Sequence, residues 1–150
     1  MSNANNVVLI TGGGSGMGRE AARRFAAQGA TVALLDVNTA GMAETAESFD
    51  NIHSWTVDIT DFAAVQAAVR EVEAKCGPVE RLYNCAAIMP FGKLVEQDNA
   101  IIHKQMAINY GGLVNITQAV LPGMLQRGTG DFVSFASMAG IIPMLKTGAY

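Results

Sequence analysis

Thr11-Gly12-Gly13-Gly14-Ser15-Gly16-Met17-Gly18 decides the architecture through what stands on either side of it. Before it runs Val7–Thr11, a continuous apolar stretch of the kind a strand shows when both of its faces are covered. After it, residues 16–28 carry Ala21, Ala22, Phe25 and Ala26 on one stripe, with Gly29 as a stop, which predicts a helix. A glycine bend from strand to helix exposes backbone N–H groups at the positive end of the helix dipole. Such a bend suits a pyrophosphate. The spacing is Gly-x-x-x-Gly-x-Gly on Gly12, Gly16 and Gly18, with Ser15 and Met17 between them as further contacts. A glycine-rich turn alone is compatible with binding nothing; its place between a strand and a helix raises its weight.

The same alternation continues downstream. Thr31–Asp36 reads as a second strand, residues 39–49 as an alanine-rich helix, and Ile52–Val57 as a third strand. Asp61 is placed to cap a helix over Phe62–Cys76, with Phe62, Val65, Val69 and Val72 at helical spacing and Gly77-Pro78 as its stop. Val79–Cys85 is the fourth strand, residues 88–98 a loop, and residues 99–126 one long helix with Ile102, Met106, Leu113, Ile116, Val120 and Met124 inward. Pro122 falls near its end, where a proline kinks a helix. Residues 131–136 form the fifth strand. Five βα units with short connections imply one α/β domain over residues 1–150, a parallel sheet with right-handed crossovers. Ligands of such sheets bind at the carboxyl ends of the strands, beside the topological switch point.

Composition narrows the partners. Half the residues are hydrophobic and 15% are charged, which suits a sheet buried on both faces. The net charge is −3 and the basic residues are dispersed, so no nucleic-acid footprint is expected. Residues 1–6 are polar and lack a charged leader region, and no apolar run is long enough for a bilayer; a cytoplasmic protein with no membrane partner is expected. Cys76 and Cys85 match no metal or redox spacing, so no metal site is expected and both read as reduced, mostly buried thiols.

Two carboxylates end strands. Asp36, eighteen residues after Gly18, is placed to accept hydrogen bonds from ribose hydroxyls and to repel a 2′-phosphate, which favours NAD over NADP; no arginine follows in residues 37–39. A loop acid or helix cap is the plainer alternative. Asp58, with Ile59 beside it, is placed to reach an adenine edge or to cap the next helix, a job for which Asp61 competes. Ser137 lies just past the fifth strand, thirteen residues before Tyr150.

With these motifs together, the chain resembles the N-terminal part of a single-domain short-chain dehydrogenase/reductase. Thr11–Gly18 matches that family's Thr-Gly-x-x-x-Gly-x-Gly in full. Its Asn-Asn-Ala-Gly falls on Asn84-Cys85-Ala86-Ala87, where the second asparagine and the glycine are replaced. The resemblance implies a Rossmann-type, doubly wound three-layer α/β/α sandwich, with Asn84 stabilising the sheet and Ala86 letting backbone pass the cofactor. It implies that Asn109 marks a distorted helix and holds a relay water, that Ser137 polarises the substrate oxygen, and that Tyr150 is the general acid/base. Without the family, Asn109 simply needs hydrogen-bond partners within an apolar stripe. Ile88 and Thr117 correspond to cleft positions of the family, but core packing is the simpler expectation for both.

A phenol with a pKa of about 10 needs a nearby cation to work at neutral pH. The family's lysine would fall at position 154, so these residues are expected to belong to a longer protein. Lys146 is expected to be an exposed loop residue. His53 and His103 have no partner at a suggestive spacing and read as surface or core-edge residues. The expected activity is NAD-dependent interconversion of a secondary alcohol and a ketone, acting on a small molecule. A homo-oligomer, dimer or tetramer, is expected of the full-length protein. A non-catalytic NAD-binding sensor would keep the turn and Asp36 without needing Ser137 or Tyr150. A methyltransferase would instead take S-adenosylmethionine.

Overall fold

The computed structural model describes residues 6–150. Five strands form one parallel sheet: β1 (Val7–Thr11), β2 (Thr31–Asp36), β3 (Ile52–Thr56), β4 (Val79–Asn84) and β5 (Asp131–Ser134). Their order is β3-β2-β1-β4-β5. The chain steps outward from β1 to β3, then returns to lay β4 on the other side of β1. The switch point therefore lies between β1 and β4, where Thr11 stands opposite Asn84. The helices are α1 (Gly16–Ala27), α2 (Thr39–Ala46), α3 (Phe62–Cys76), α4 (Asn99–Met106) and α5 (Leu113–Arg127).

Strand alternation divides the core into two layers. Val7 and Leu9 of β1 pack with Val65, Val69 and Val72 of α3 and Ile116, Val120 and Met124 of α5. Val8 and Ile10 face the opposite layer, against Ala22 and Ala26 of α1 and Met42 of α2. Each fully buried Leu or Ile contributes roughly 1.5–3 kcal/mol. The sandwich is α/β/α and doubly wound, as the strand–helix alternation predicts.

Element ends differ from the sequence reading for local reasons. α2 stops at Ala46 rather than Phe49, because Ser48 turns to a left-handed φ of 70°. β3, β4 and β5 are shorter than expected by one, one and two residues; Val57 still donates to the Asp36 carbonyl and Cys85 to that of Thr11. Phe62 lies at the lip of its helix rather than in the core.

The largest correction concerns the long helix. Between α4 and α5, Ala107–Gly112 forms a π-helical turn. The wider turn puts the two flanking helices out of phase, so Met106, expected inward, is exposed and Gln105 is buried in its place. The helix continues past Pro122 to Arg127. β5 is also unlike the other strands: its residues are exposed or half-buried, and Phe132 keeps 41% of its surface.

Candidate active site

A groove of about 340 Å³ opens at the carboxyl ends of β1, β2 and β4. Gly12, Ser15, Gly16, Met17 and Gly18 line it from the turn, Asp36 from β2, Asp58 and Ile59 from the segment after β3, and Ala86 from the segment after β4. Four stretches far apart in sequence thus meet at the switch point. Gly12 has φ +69°, and a Cβ there would lie 2.8 Å from the Ala86 backbone nitrogen. Gly16 also has positive φ, while Gly18 abuts the Gly12 carbonyl with no room for a side chain. The turn is a bare-backbone cradle ahead of α1, and Ser15 caps that helix without a side-chain hydrogen bond.

Asp36 does not cap α2. Asn38 does, accepting from the Gly41 N–H at 2.9 Å. The Asp36 carboxylate instead accepts from Gly14 N–H through Oδ2 and from Asn38 N–H through Oδ1, both at 2.9 Å. It is thereby fixed on the groove wall. Asp58 accepts from the Thr60 N–H and hydroxyl, which hold its carboxyl below the ordinary value. Asp61 is the cap of α3, leaving Asp58 on the groove.

Beneath the groove, Thr11 and Asn84 tie β1 to β4. The Thr11 hydroxyl donates to Asn84 Oδ1 at 2.7 Å and accepts from the Ala86 N–H at 3.1 Å. Asn84 is buried and does not itself line the groove. Asn109 lies within the π turn. Its Oδ1 accepts from the Ile88 N–H and its Nδ2 donates to the Ile88 carbonyl, each at 2.9 Å. These are the partners a half-buried amide requires. They also fix the backbone of Ile88, which lines the groove rather than packing in the core as expected. Thr117 points elsewhere, its hydroxyl donating to the Leu113 carbonyl within α5.

Ser137 and Tyr150 follow β5 and are not part of the groove wall. Ser137 is half-buried, and its Oγ accepts from the Ala139 N–H at the start of a short 3₁₀ turn, Met138–Gly140. Tyr150 is 41% exposed, with its N–H on the Thr147 carbonyl. Two contacts moor this segment. Gly92 N–H donates to the Lys146 carbonyl, and Gln105 Nε2 donates to the Ala149 carbonyl at 3.0 Å. Lys146 is exposed, with a left-handed φ of 64°.

The remaining groove residues escaped the sequence reading. Leu35, Val37, Val57, Cys85, Ala87 and Ile108 complete the lining. Cys85 and Ala87 stand in the partly matched strand-four motif, which was the available signal. Both cysteines are free and only partly exposed, and burial pushes the Cys85 thiol up to about 11. Among the described residues, no helix is long and apolar enough to cross a membrane, and no three His, Cys, Asp or Glu residues are grouped to hold a metal ion.

The glycine turn, the strand-two carboxylate and the asparagine in a helix distortion sit together on a doubly wound α/β sandwich. A family model for short chain dehydrogenase matches residues 6–150, and the chain belongs to that family. It is 37% identical over 134 residues to the 2-keto-3-deoxy-L-fuconate dehydrogenase of Xanthomonas campestris pv. campestris, covering 89% of this chain and 43% of the relative. It is 36% identical over 138 residues to the 2-dehydro-3-deoxy-L-rhamnonate dehydrogenase (NAD(+)) of Sphingomonas sp., covering 91% and 55%. Among solved structures, the apo form of LigO from Sphingobium sp. strain SYK-6 matches with a TM-score of 0.92 at 31% identity, over 99% of this chain and 58% of that one. The actinorhodin polyketide ketoreductase with NADPH matches with a TM-score of 0.92 at 28% identity, over 99% and 59%. The chain spans about half the length of the curated relatives it matches. Both NAD and NADPH appear among these names, so membership alone does not choose the coenzyme.

Proposed function

We propose that the groove takes NAD and that the whole protein interconverts a secondary alcohol and a ketone. The observation that carries this reading is the fixed Asp36 carboxylate, on the same groove wall as the bare Gly12–Gly18 cradle. The residues fit the coenzyme. Backbone at Gly12, Ser15, Gly16, Met17 and Gly18 would face the pyrophosphate, Asp36 the adenosine ribose, Asp58 and Ile59 the adenine, and Ala86 the strand-four side. Asn84 would act from below, by holding Thr11 and through it Ala86. A 2′-phosphate would meet the Asp36 charge with no cation among the groove-lining residues to offset it.

NAD supplies the hydride acceptor when bound. In alcohol oxidation Tyr150 takes the hydroxyl proton at its phenolic oxygen, and in the reverse direction it returns it. Ser137 donates to the substrate oxygen. Asn109 acts by holding Ile88 against the groove and by the helix distortion around it. Ile88 engages its side-chain oxygen and one of its two Nδ2 hydrogens, so a relay water there would meet the second Nδ2 hydrogen or the backbone of the π turn. A small-molecule substrate, a cytoplasmic location and a homo-oligomer belong to the same proposal.

The test is in two stages. Fluorescence titration of the folded chain should give tighter binding for NADH than for NADPH; no binding of either at millimolar concentration defeats the proposal. A version extended past position 154 should then oxidise members of a secondary-alcohol panel. Tyr150→Phe in that version should lower kcat by about 10²–10⁴-fold and leave the NAD Kd within about twofold. An unchanged kcat removes Tyr150 from the chemistry.

A further inference from the structure

Behind the groove, two side chains, Arg19 of α1 and Thr45 of α2, converge on the carbonyls of the glycine turn. Thr45 of α2 is completely buried, and its hydroxyl lies 2.8 Å from the Gly13 carbonyl and 2.9 Å from that of Gly41. Arg19 of α1 donates through Nε to Thr45 Oγ1 at 3.1 Å and through an Nη to the Gly14 carbonyl at 2.7 Å. Because Thr45 Oγ1 accepts from Arg19, its single proton is directed at a carbonyl. Glu44 pairs with the same guanidinium at 2.6 Å and holds it in place. Gly41 completes the arrangement: a Cβ there would overlap the Gly14 carbonyl, so α2 packs directly on the turn's backbone.

The Gly14 residue is thus gripped from both sides. Its carbonyl accepts from Arg19, and its N–H donates to Asp36 Oδ2. Neither Arg19 nor Thr45 lines the groove. A residue needed only for packing at position 45 could be valine, the same shape without a hydroxyl to satisfy.

We propose that Arg19 and Thr45 are positioning residues for the nucleotide site: they fix the Gly13-Gly14 backbone and, through the Gly14 N–H, the Asp36 carboxylate, so that discrimination between NAD and NADP depends on them. This rests on the coenzyme reading above. Loosening the clamp weakens the ribose contacts of NAD. It also lets the carboxylate retreat from a 2′-phosphate, which offsets the loss for NADP.

The experiment measures NADH and NADPH Kd values and thermal melting for the wild-type chain, Thr45→Val, Thr45→Ser and Arg19→Lys. Thr45→Val should raise the NADH Kd about tenfold, the size expected for one hydrogen bond in a network with a charged group, and lower the NADH/NADPH preference by a similar factor. Thr45→Ser, which keeps the hydroxyl, should restore the preference. Arg19→Lys keeps the charge but loses the planar fork in which separate nitrogens reach Thr45 and Gly14, and should lower the preference as Thr45→Val does. If Thr45→Val does not fold, the Arg19→Lys preference decides alone. An unchanged preference in folded variants overturns the clamp while leaving the coenzyme reading intact. Equal weakening for both coenzymes also overturns it, because that is the result of a merely structural role. A wild-type chain that binds neither coenzyme overturns both.

Discussion

Around the glycine turn, backbone groups are held by neighbouring elements: Gly12 N–H by the Leu35 carbonyl, Gly13 by Thr45, Gly14 by Asp36 and Arg19. Around Ser137 and Tyr150, most partners come from the same short segment, with Gly92 and Gln105 as moorings from outside. Burial follows the same division. Leu9, Ile10, Leu34 and Leu35 are fully buried, whereas Ile141 and Leu145 keep 81% and 89% of their surface. The glycine-turn side of the groove is therefore set by cross-element contacts that form with the sheet. The segment carrying Ser137 and Tyr150, outside the groove wall, is held mostly by local turns, with Gly92 and Gln105 as its outside contacts. Geometry at the first end should respond steeply to single substitutions, and geometry at the second should respond weakly.

The largest response is expected at Gly12. Valine there needs a left-handed conformation, costing about 1–2 kcal/mol or more for a branched side chain, and drives a Cβ into the Ala86 backbone. Gly12→Val should abolish NADH binding, a loss of more than about a hundredfold on a scale where each 1.4 kcal/mol is tenfold, and should lower Tm. Near-normal titration by a folded Gly12→Val chain would break the contrast between the two ends.

Next comes the Cys85 thiol, on the nucleotide side of the groove. Burial raises it to about 11, so its thiolate is suppressed roughly a hundredfold at pH 8 relative to an ordinary thiol. Alkylation by iodoacetamide, followed by mass spectrometry, should be slow at pH 8 and accelerate only as the pH approaches 11. NAD should slow it further. The native state keeps this proton above the pH at which the unfolded chain releases it. The stabilising contribution is therefore whole at neutral pH and is lost as pH rises from the ordinary thiol value through about 11. Fast alkylation at pH 8 would show the groove wall to be looser than its contacts imply.

Thr11→Val tests the tie beneath the groove. It leaves Asn84 Oδ1 and the Ala86 N–H without their partner, and one orphaned buried polar group costs about 1–3 kcal/mol. Urea denaturation should show a loss of about 2 kcal/mol, with a weaker NADH Kd because Ala86 moves. Unchanged stability would mean that β1 and β4 are aligned by their ladder alone.

How much of this was legible in advance follows the same line. The glycine turn, β1, β2 and the Asp61-capped α3 are written in consecutive residues, so strand and helix periodicity sufficed. The positions of Asp36 and Asp58 followed from the rule that ligands lie at strand ends. The family resemblance pointed to a distortion at Asn109, but the phase shift it produces did not follow, because a π turn leaves no mark in the apolar spacing; Gln105 and Met106 exchanged places as a result. Ile88 was misjudged for a tertiary reason: its backbone is held at the groove by the amide of Asn109, twenty-one residues away. Thr45 and Arg19 carried no signal at all: a threonine and an arginine in two amphipathic helices look like packing and surface until the helices are docked.

The smallest effect should come from the edge itself. Arg81 of β4 pairs with Asp131 of β5, a contact made by side chains that are 31% and 58% exposed. Exposed pairs contribute less than about 1 kcal/mol, because water screens them and two long side chains must be ordered. Asp131→Asn should therefore shift the urea midpoint only slightly and leave NADH affinity unchanged. Hydrogen exchange sharpens the point. Amides of β5 should exchange faster than those of β1 in this chain, since among the described strands β5 pairs with β4 alone and its residues are exposed or half-buried. Asp131→Asn should speed the β5 amides alone. If β1 amides also became faster, the two ends of the sheet would be one cooperative unit, and the division between a locked nucleotide end and a weakly held edge would fail.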